Sequence, residues 1–210
     1  MHIVITGGIG AGKSYVCQRL RSRGIAVYDC DAAAKRLMSK SEPLKQSLRC
    51  LVGEEVYLSP TGEVGRHQSA TVLNKAFLAQ FLLQSEENKQ AVNNVVHPVV
   101  AADFLASGME WMESAIYFDS GFNLRMAADY VVCVSAPEDI RVERIMRRDG
   151  ISREKALAWI HRQMAQEQVE RQSDFVIVND GASDIDVQIE QCLNEMKHQV
   201  NVKCNKGTTK

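Results

Sequence analysis

Gly7-Gly8-Ile9-Gly10-Ala11-Gly12-Lys13-Ser14 matches the pattern G-x-x-x-x-G-K-[ST] at every fixed position. A short β-branched run, residues 2–6, precedes it, and a segment with the helical pattern, residues 13–23, follows it. Glycines let the backbone curl so that N–H groups point at phosphate oxygens, and a helix that begins there adds its positive dipole end. We expect Lys13 to reach the β- and γ-phosphates and Ser14 Oγ to ligate Mg²⁺. The stretch therefore predicts a nucleotide-binding loop.

Buried apolar runs outside this loop predict the fold class. Runs at 2–6, 25–28, 115–118, 130–134 and 175–178 alternate with helical stretches. This alternation predicts an α/β fold whose five-stranded, mostly parallel sheet is flanked by helices, and the loop at residues 7–14 makes it a P-loop NTPase fold. Residues 32–112 carry the helical period without a convincing strand, so we expect a helical insertion there. The spacing of Ile185, Ile189, Cys192 and Met196 predicts a C-terminal helix that packs by one face.

Composition narrows the range of partners and compartments. The 25 Lys and Arg residues nearly balance 26 Asp and Glu residues, which argues against a nucleic-acid partner. No apolar run approaches the length of a bilayer span, and the start of the chain does not resemble a signal peptide. Six Cys without a C-x-x-C pair indicate reduced thiols and a cytoplasmic protein. Residues 201–210 contain three Lys and no acid, and we expect a flexible basic tail; nothing indicates the oligomeric state.

Two carboxylates, Asp29 and Asp31, end the second predicted strand. In a doubly wound sheet, the carboxyl ends of the strands face the ligand. A carboxylate at this position could take the proton of an acceptor hydroxyl or hold Mg²⁺ through water. Asp31 could instead cap the helix that begins at Ala32. The spacing leaves both interpretations open.

An arginine-rich helix lies further along the chain. Arg141, Arg144 and Arg148 share one helical face, and Arg147 lies beside them. Such a run is ordinarily a solvated face. Here it precedes a break at residues 149–153, an arrangement typical of a phosphotransferase lid, which excludes water and brings positive charge to the transferred group.

With these parts in place, the sequence resembles the dephospho-CoA kinases, which belong to the nucleoside-monophosphate-kinase-like P-loop group. The resemblance covers roughly residues 1–199. It is carried by Thr6-Gly7-Gly8-Ile9-Gly10, Asp29-Cys30-Asp31, Val96-His97-Pro98-Val99, Arg147-Arg148-Asp149-Gly150-Ile151-Ser152 and Val178-Asn179-Asp180-Gly181. This combination is far more specific than a phosphate-binding loop alone.

The resemblance implies an ATP- and Mg²⁺-dependent enzyme that phosphorylates the 3′-hydroxyl of the dephospho-CoA ribose, the final step of coenzyme A biosynthesis. It implies a kinase core at 1–31 and 113–200, a CoA-binding insertion at 32–112 and a lid at 147–160. The implied catalytic residues are Asp31, as general base, Lys13 and Arg148. The implied nucleotide-binding residues are Gly8, Gly10, Ala11, Gly12, Lys13, Ser14, Tyr15, Arg144, Asn179 and Gly181. The implied acceptor-binding residues are Asp31, His97 and Arg66, although His97 could simply pack beside Pro98.

Three positions depart from the family's usual pattern. Tyr15 stands where Thr is frequent, Cys30 stands where Ala is usual, and Asp119 stands where Glu is common. None of them replaces Lys13 or Asp31.

Two other functions remain open at this stage. One is phosphorylation of a different small molecule, as in shikimate or nucleotide kinases, although the long insertion favours a larger acceptor. The other is a regulatory nucleotide-binding module, which the lid and the acidic pair disfavour. No Asn-Lys-x-Asp element is present, which makes a GTPase a poor fit.

Overall fold

The computed structural model describes residues 1–59 and 71–207, with side chains described up to residue 200. Arg66 lies outside the described residues, and so do the side chains of the predicted basic tail. The chain divides into two compact units. The first contains Met1–Val27, Glu110–Asp119 and Ala128–Lys210, and the second contains Tyr28–Met109 and Ser120–Ala127.

A five-stranded sheet organises the first unit. Its strands are β1 (Ile3–Thr6), β2 (Val27–Asp29), β5 (Trp111–Glu113), β6 (Tyr130–Ser135) and β7 (Phe175–Val178), in the order β2-β5-β1-β6-β7. Strand β1 pairs in parallel with β5 and β6, and β6 pairs in parallel with β7. The predicted α/β fold with a five-stranded parallel sheet is confirmed.

Helices cover this sheet because each presents an apolar face to it. The helices of the first unit are α1 (Lys13–Arg21), α6 (Glu138–Asp149), α7 (Arg153–Ile160), α8 (Gln166–Arg171) and α9 (Ile185–Gly207). Helices α1 and α9 bury Val16, Leu20, Ile189 and Met196 in one core cluster with the inward side chains of the sheet, such as Ile5. The one-faced packing predicted for the C-terminal helix is confirmed by its buried residues.

The prediction of a third strand at residues 115–118 is wrong. The strand is β5, and residues 115–118 form turns. Strand β1 ends where the loop begins at Gly7, so its partner β5 ends at the matching residues. Ile5 pairs with Glu113, and the N–H of Ser114 donates to the carbonyl of Ile5 at 2.9 Å. The position of β5 is therefore determined by its pairing with β1. The more apolar run at residues 115–118 does not determine it.

Helices dominate the second unit, as predicted. It contains α2 (Cys30–Lys40), α3 (Glu42–Val52), α4 (Lys75–Gln84) and α5 (Glu86–Ser107). Residues such as Leu48, Val96 and Phe104 are buried. Two short strands that the sequence did not reveal, β3 (Tyr57–Leu58) and β4 (Val72–Leu73), pair antiparallel. Within residues 1–59 and 71–207, no helix is both long enough and apolar enough to cross a bilayer.

Candidate active site

The predicted phosphate-binding loop connects β1 to α1. Its glycines are required by both conformation and space. Gly10 has φ +80°, and a Cβ there would lie 2.7 Å from the carbonyl oxygen of Arg141. Gly12 has φ +94°, and a Cβ there would lie 2.1 Å from Nδ2 of Asn179. Any other residue would be strained at these positive φ angles, and its Cβ would collide with Arg141 or Asn179. Only glycine therefore suits the loop at both positions.

Lys13 is buried, and its ammonium group lies over the loop. Its Nζ donates to the carbonyl oxygens of Gly7 at 2.8 Å and Gly8 at 3.2 Å. The N–H groups of Gly10, Gly12 and Ser14 make no hydrogen bond within the described part of the chain. The loop thus combines a cation, free backbone donors and the positive end of α1, which together suit a polyphosphate.

Two predicted nucleotide-binding residues meet at the carbonyl side of the loop. The buried Asn179 donates through Nδ2 to the carbonyl of Ala11 at 2.9 Å. Nη2 of Arg144 donates to Oδ1 of Asn179 at 3.3 Å, and its Nη1 donates to Ala11 at 3.3 Å. Gly181 follows in a turn with φ +87°. The structure therefore brings Arg144, Asn179 and the loop together.

The arginine-rich helix is not a uniform solvated face. Arg141 is only 4% exposed, whereas the side chain of Arg148 is 60% exposed and pairs with Asp149, Nη2 to Oδ2, at 2.8 Å. Burial lowers the pKa of Arg141. The interpretation as a solvated face is thus wrong for Arg141, while Arg148 is free to leave a partner that is itself exposed.

The acidic pair belongs to the second unit, and its members differ in role. Asp29 caps α2, because its Oδ1 accepts the N–H of Ala32 at 2.8 Å. Asp31 lies one residue into the helix, exposed to solvent, and makes no capping bond. The interpretation that Asp31 caps this helix is therefore wrong, and its carboxylate is available for other chemistry.

A hydrogen-bonded cluster in the same unit supports the junction between β2 and α2. The hydroxyl of Tyr28 donates to Asp103 at 2.6 Å, and Nη2 of Arg36 contacts the same carboxylate oxygen at 2.5 Å. The two donors keep the pKa of Asp103 below its usual value. Since Tyr28 lies in β2 and Arg36 lies in α2, Asp103 contacts both sides of the β2–α2 junction, next to which Asp31 lies.

His97 lies inside the second unit, on α5 next to Pro98. It is 9% exposed, and its ring lies 4.9 Å from that of Phe122, centroid to centroid. Its Nδ1 has no hydrogen-bond partner among the described residues. Burial, together with the positive charge of Arg125, lowers the pKa of His97 to about 4. The imidazole is thus neutral at neutral pH. Its packing against Phe122 explains the burial of the ring but provides no hydrogen-bond partner for Nδ1.

A comparison with known protein families decides between the remaining functions. The family model described as dephospho-CoA kinase matches residues 1–184. The chain belongs to the dephospho-CoA kinase family. Its members are ATP-dependent kinases, so the predicted enzyme class is confirmed, and neither a shikimate or nucleotide kinase nor a regulatory module is supported.

Individual dephospho-CoA kinases agree with this assignment. The protein of that name from Bacteroides fragilis is 35% identical over 97% of this chain and 96% of its own length. The one from Porphyromonas gingivalis is 42% identical over 72% of each chain. The solved structure of dephospho-CoA kinase from Campylobacter jejuni matches with a TM-score of 0.58 at 20% identity, covering 93% of this chain and 96% of that one, and it supports the fold.

Sequence reasoning missed two residues that contact the loop of this kinase. Nε of Arg141 donates to the carbonyl of Ile9 at 3.0 Å, and Oε1 of Gln163 accepts the N–H of Ile9 at 2.7 Å. For Arg141 a signal existed, because it lies four residues before the buried Ile145 and shares its apolar face. For Gln163, which lies in the connection between α7 and α8, the sequence offers none.

Asp119, one of the departures from the family pattern, lies close to that connection. Its Oδ1 accepts the N–H of Met164 at 2.9 Å. Burial raises the pKa of Asp119, and the N–H of Met164 partly opposes the rise. The shorter acid thus makes a backbone contact that fixes the residue next to Gln163.

Proposed function

We propose that this kinase transfers the γ-phosphoryl group of ATP to the 3′-hydroxyl of the dephospho-CoA ribose, giving CoA and ADP, the last step of coenzyme A biosynthesis. The observation that carries the proposal is the phosphate-binding loop with the Lys13 ammonium held over it, in a chain of the dephospho-CoA kinase family. The transferred group needs little covalent assistance, so positioning and charge do most of the work.

ATP binds with its phosphates in the loop. The N–H groups of Gly8, Gly10, Gly12, Lys13 and Ser14 line it, and Lys13 offsets the charge that develops on the transferred group. The residues present fit Mg²⁺, because the hydroxyl of Ser14 is an exposed oxygen ligand in the first turn of α1. A bound Mg²⁺ would be held through this hydroxyl and would neutralise negative charge on the phosphates.

The adenosine end of ATP lies toward the Arg144–Asn179 pair, which contacts the loop at the carbonyl of Ala11. The contacts of this pair with Ala11 support the assignment, since they build a rigid polar wall beside the loop. Gly181 allows the chain to turn there. Tyr15, with 49% of its surface exposed in the first turn of α1, is available to contact the nucleotide.

Asp31 orients the acceptor hydroxyl and removes its proton. Its exposure and its freedom from capping support this role. Arg148 brings its guanidinium to the transferred phosphoryl group from the end of α6, and residues 147–160 act as the lid. His97 and Arg66 contact the acceptor within the insertion, residues 32–112, which forms the CoA-binding part beside a core at 1–31 and 113–200.

The partners are small molecules, and the reaction takes place in the cytoplasm without nucleic acid or membrane. Such a setting fits the near balance of charge, 25 basic against 26 acidic residues, and the scattered thiols.

ADP release by the purified protein with ATP and Mg²⁺ tests the reaction, with and without dephospho-CoA. We expect release to depend on the acceptor, and the product to gain the mass of one phosphoryl group. Tight ATP binding without acceptor-dependent release would contradict the proposal while leaving the phosphate-binding loop intact. Omission of Mg²⁺ should abolish turnover.

A further inference from the structure

The backbone of Ile9, at the tip of the phosphate-binding loop, is held on both sides by residues from outside the loop. Its N–H donates to Oε1 of Gln163 at 2.7 Å, and its carbonyl accepts from Nε of Arg141 at 3.0 Å. Arg141 comes from α6, and Gln163 comes from the connection between α7 and α8. The two peptide groups that flank the Cα of Ile9 are thereby fixed to two separate segments.

The side chain of Ile9 is anchored to the same region. It packs against the buried cluster formed by Val142, Ile145, Ala156 and Ile160, which joins α6 to α7. A partly buried isoleucine in such a cluster resists displacement, because withdrawing it exposes apolar surface. The hydrogen bonds and the packing therefore hold the tip in one place.

Close approach makes the contact between the loop and α6 rigid. A Cβ on Gly8 would lie 2.2 Å from Nη2 of Arg141, and a Cβ on Gly10 would lie 2.7 Å from the carbonyl oxygen of Arg141. Arg141 thus fills the space under the loop with its side chain and touches it with its backbone. The loop cannot change its curvature there without moving this residue.

The residue next to Gln163 is also fixed. The carboxylate of Asp119 accepts the N–H of Met164 at 2.9 Å. This bond restrains the backbone of the α7–α8 connection, so that the Gln163 amide needs little ordering to reach Ile9.

We propose that Gln163 and Arg141 are positioning residues of this kinase, which hold the backbone on both sides of the Ile9 Cα so that the loop presents its N–H groups to the ATP phosphates. Both act through the loop and touch no reacting atom. The inference rests on the proposed binding of ATP phosphates in this loop. If the N–H of Ile9 loses the Gln163 acceptor, its peptide group reorients or the N–H remains unsatisfied, and either outcome weakens ATP binding.

Substitution of Gln163 in the full chain tests this role. Gln163→Leu removes the acceptor at similar volume, and Gln163→Glu keeps an oxygen acceptor at the same reach. Gln168→Leu is the matched control, since Gln168 is exposed on the adjoining α8. KM and kcat for ATP and for dephospho-CoA are measured with the thermal midpoint, and the Kd of ATP is measured by calorimetry.

We expect Gln163→Leu to raise the KM and Kd of ATP about tenfold. Gln163→Glu should restore both to within about threefold, while the KM of dephospho-CoA and the midpoint stay at control values. An unchanged Kd of ATP in Gln163→Leu would overturn the inference. So would equal losses for both substrates with a lowered midpoint, or a Gln163→Glu variant as defective as Gln163→Leu.

Lys13→Met separates this inference from the function on which it rests. If Lys13→Met binds ATP as tightly as the unsubstituted chain, the loop is not the phosphate site, and both proposals fail. If Lys13→Met loses ATP and Gln163→Leu does not, only the positioning role is overturned.

Discussion

The two carboxylates after β2 should separate stability from catalysis when each is substituted alone. Asp29 caps α2 through the N–H of Ala32 at 2.8 Å, whereas Asp31 is exposed and makes no capping bond. Asp29→Ala should therefore lower stability and leave the chemistry of Asp31 in place. Asp31→Asn should do the reverse.

The magnitudes follow from the contacts. Loss of an N-cap of this kind costs about 1 kcal/mol. In a chain of this size that loss lowers the thermal midpoint by about 3 °C. Asp31→Asn removes no hydrogen bond within the described part of the chain and gives up only the weak attraction of an exposed carboxylate to the start of α2. Loss of a general base lowers turnover by about 10² to 10⁴.

Thermal unfolding and acceptor-dependent ADP release measure the two effects on the same preparations. Asp29→Asn is the matched control, because asparagine caps helices as well as aspartate does, and it should retain both midpoint and turnover. Near-normal kcat in Asp31→Asn would refute the assignment of Asp31. A large loss of kcat in Asp29→Asn, with the midpoint unchanged, would transfer the role to Asp29.

Three further results are expected. Lys13→Met should lose ATP binding measured by calorimetry, by at least about tenfold, while circular dichroism stays unchanged, because an ammonium held over the loop is removed without loss of packing volume; retained affinity would contradict this. The pKa of His97 lies near 4, below its value of 6.5 when unfolded, so the unfolded chain binds more protons between these values and stability falls as the pH falls from 6.5 to 4. We expect His97→Gln to reduce the loss of unfolding free energy between pH 6.5 and pH 4 by about 3 kcal/mol or less, as measured by urea titrations at each pH. If the unfolding free energy of the variant depends on pH as steeply as before, the histidine is not the source of the dependence. Gly10→Ala should lower the thermal midpoint more than Gly24→Ala does, because both glycines have φ +80° but only Gly10 has a neighbour that a Cβ would strike; equal losses would mean that backbone strain alone matters.

The fold was predictable where a local pattern carries its own constraint. The loop is recognisable because its residue types have separate roles in phosphate binding: the glycines let the backbone curl, Lys13 supplies a positive charge and Ser14 supplies a hydroxyl. Strand β6 is recognisable as a buried apolar run, and β7 is recognisable as an apolar run of which alternate residues are buried. Strand β5 is not, since its three residues include Glu113, and its position follows from pairing with β1 rather than from its own composition.

The surroundings of the loop were predictable only in part. Arg144 and Asn179 could be named from motifs, and the structure brings them together. For Arg141, its spacing from Ile145 indicates burial, but a charge run indicates solvation, and the sequence does not show that the loop lies across this residue. Gln163 contacts Ile9 across 154 residues of sequence, and no local pattern encodes such a contact.

The arrangement along α6 also limits how the lid can close over ATP. Arg141 is fixed beneath the loop and Arg144 lies beside it, while Arg148, one turn further on, is exposed and precedes Gly150, which has φ +65°. Helix α7 returns from this turn and packs on α6, and Gln163 beyond it is bonded to Ile9. The segments on either side of the predicted lid, residues 147–160, are therefore attached to the predicted phosphate-binding loop. Closure by α6 and α7 as a body would have to break the Ile9 contacts, so we expect the movement that delivers Arg148 to be confined to the turn around Gly150.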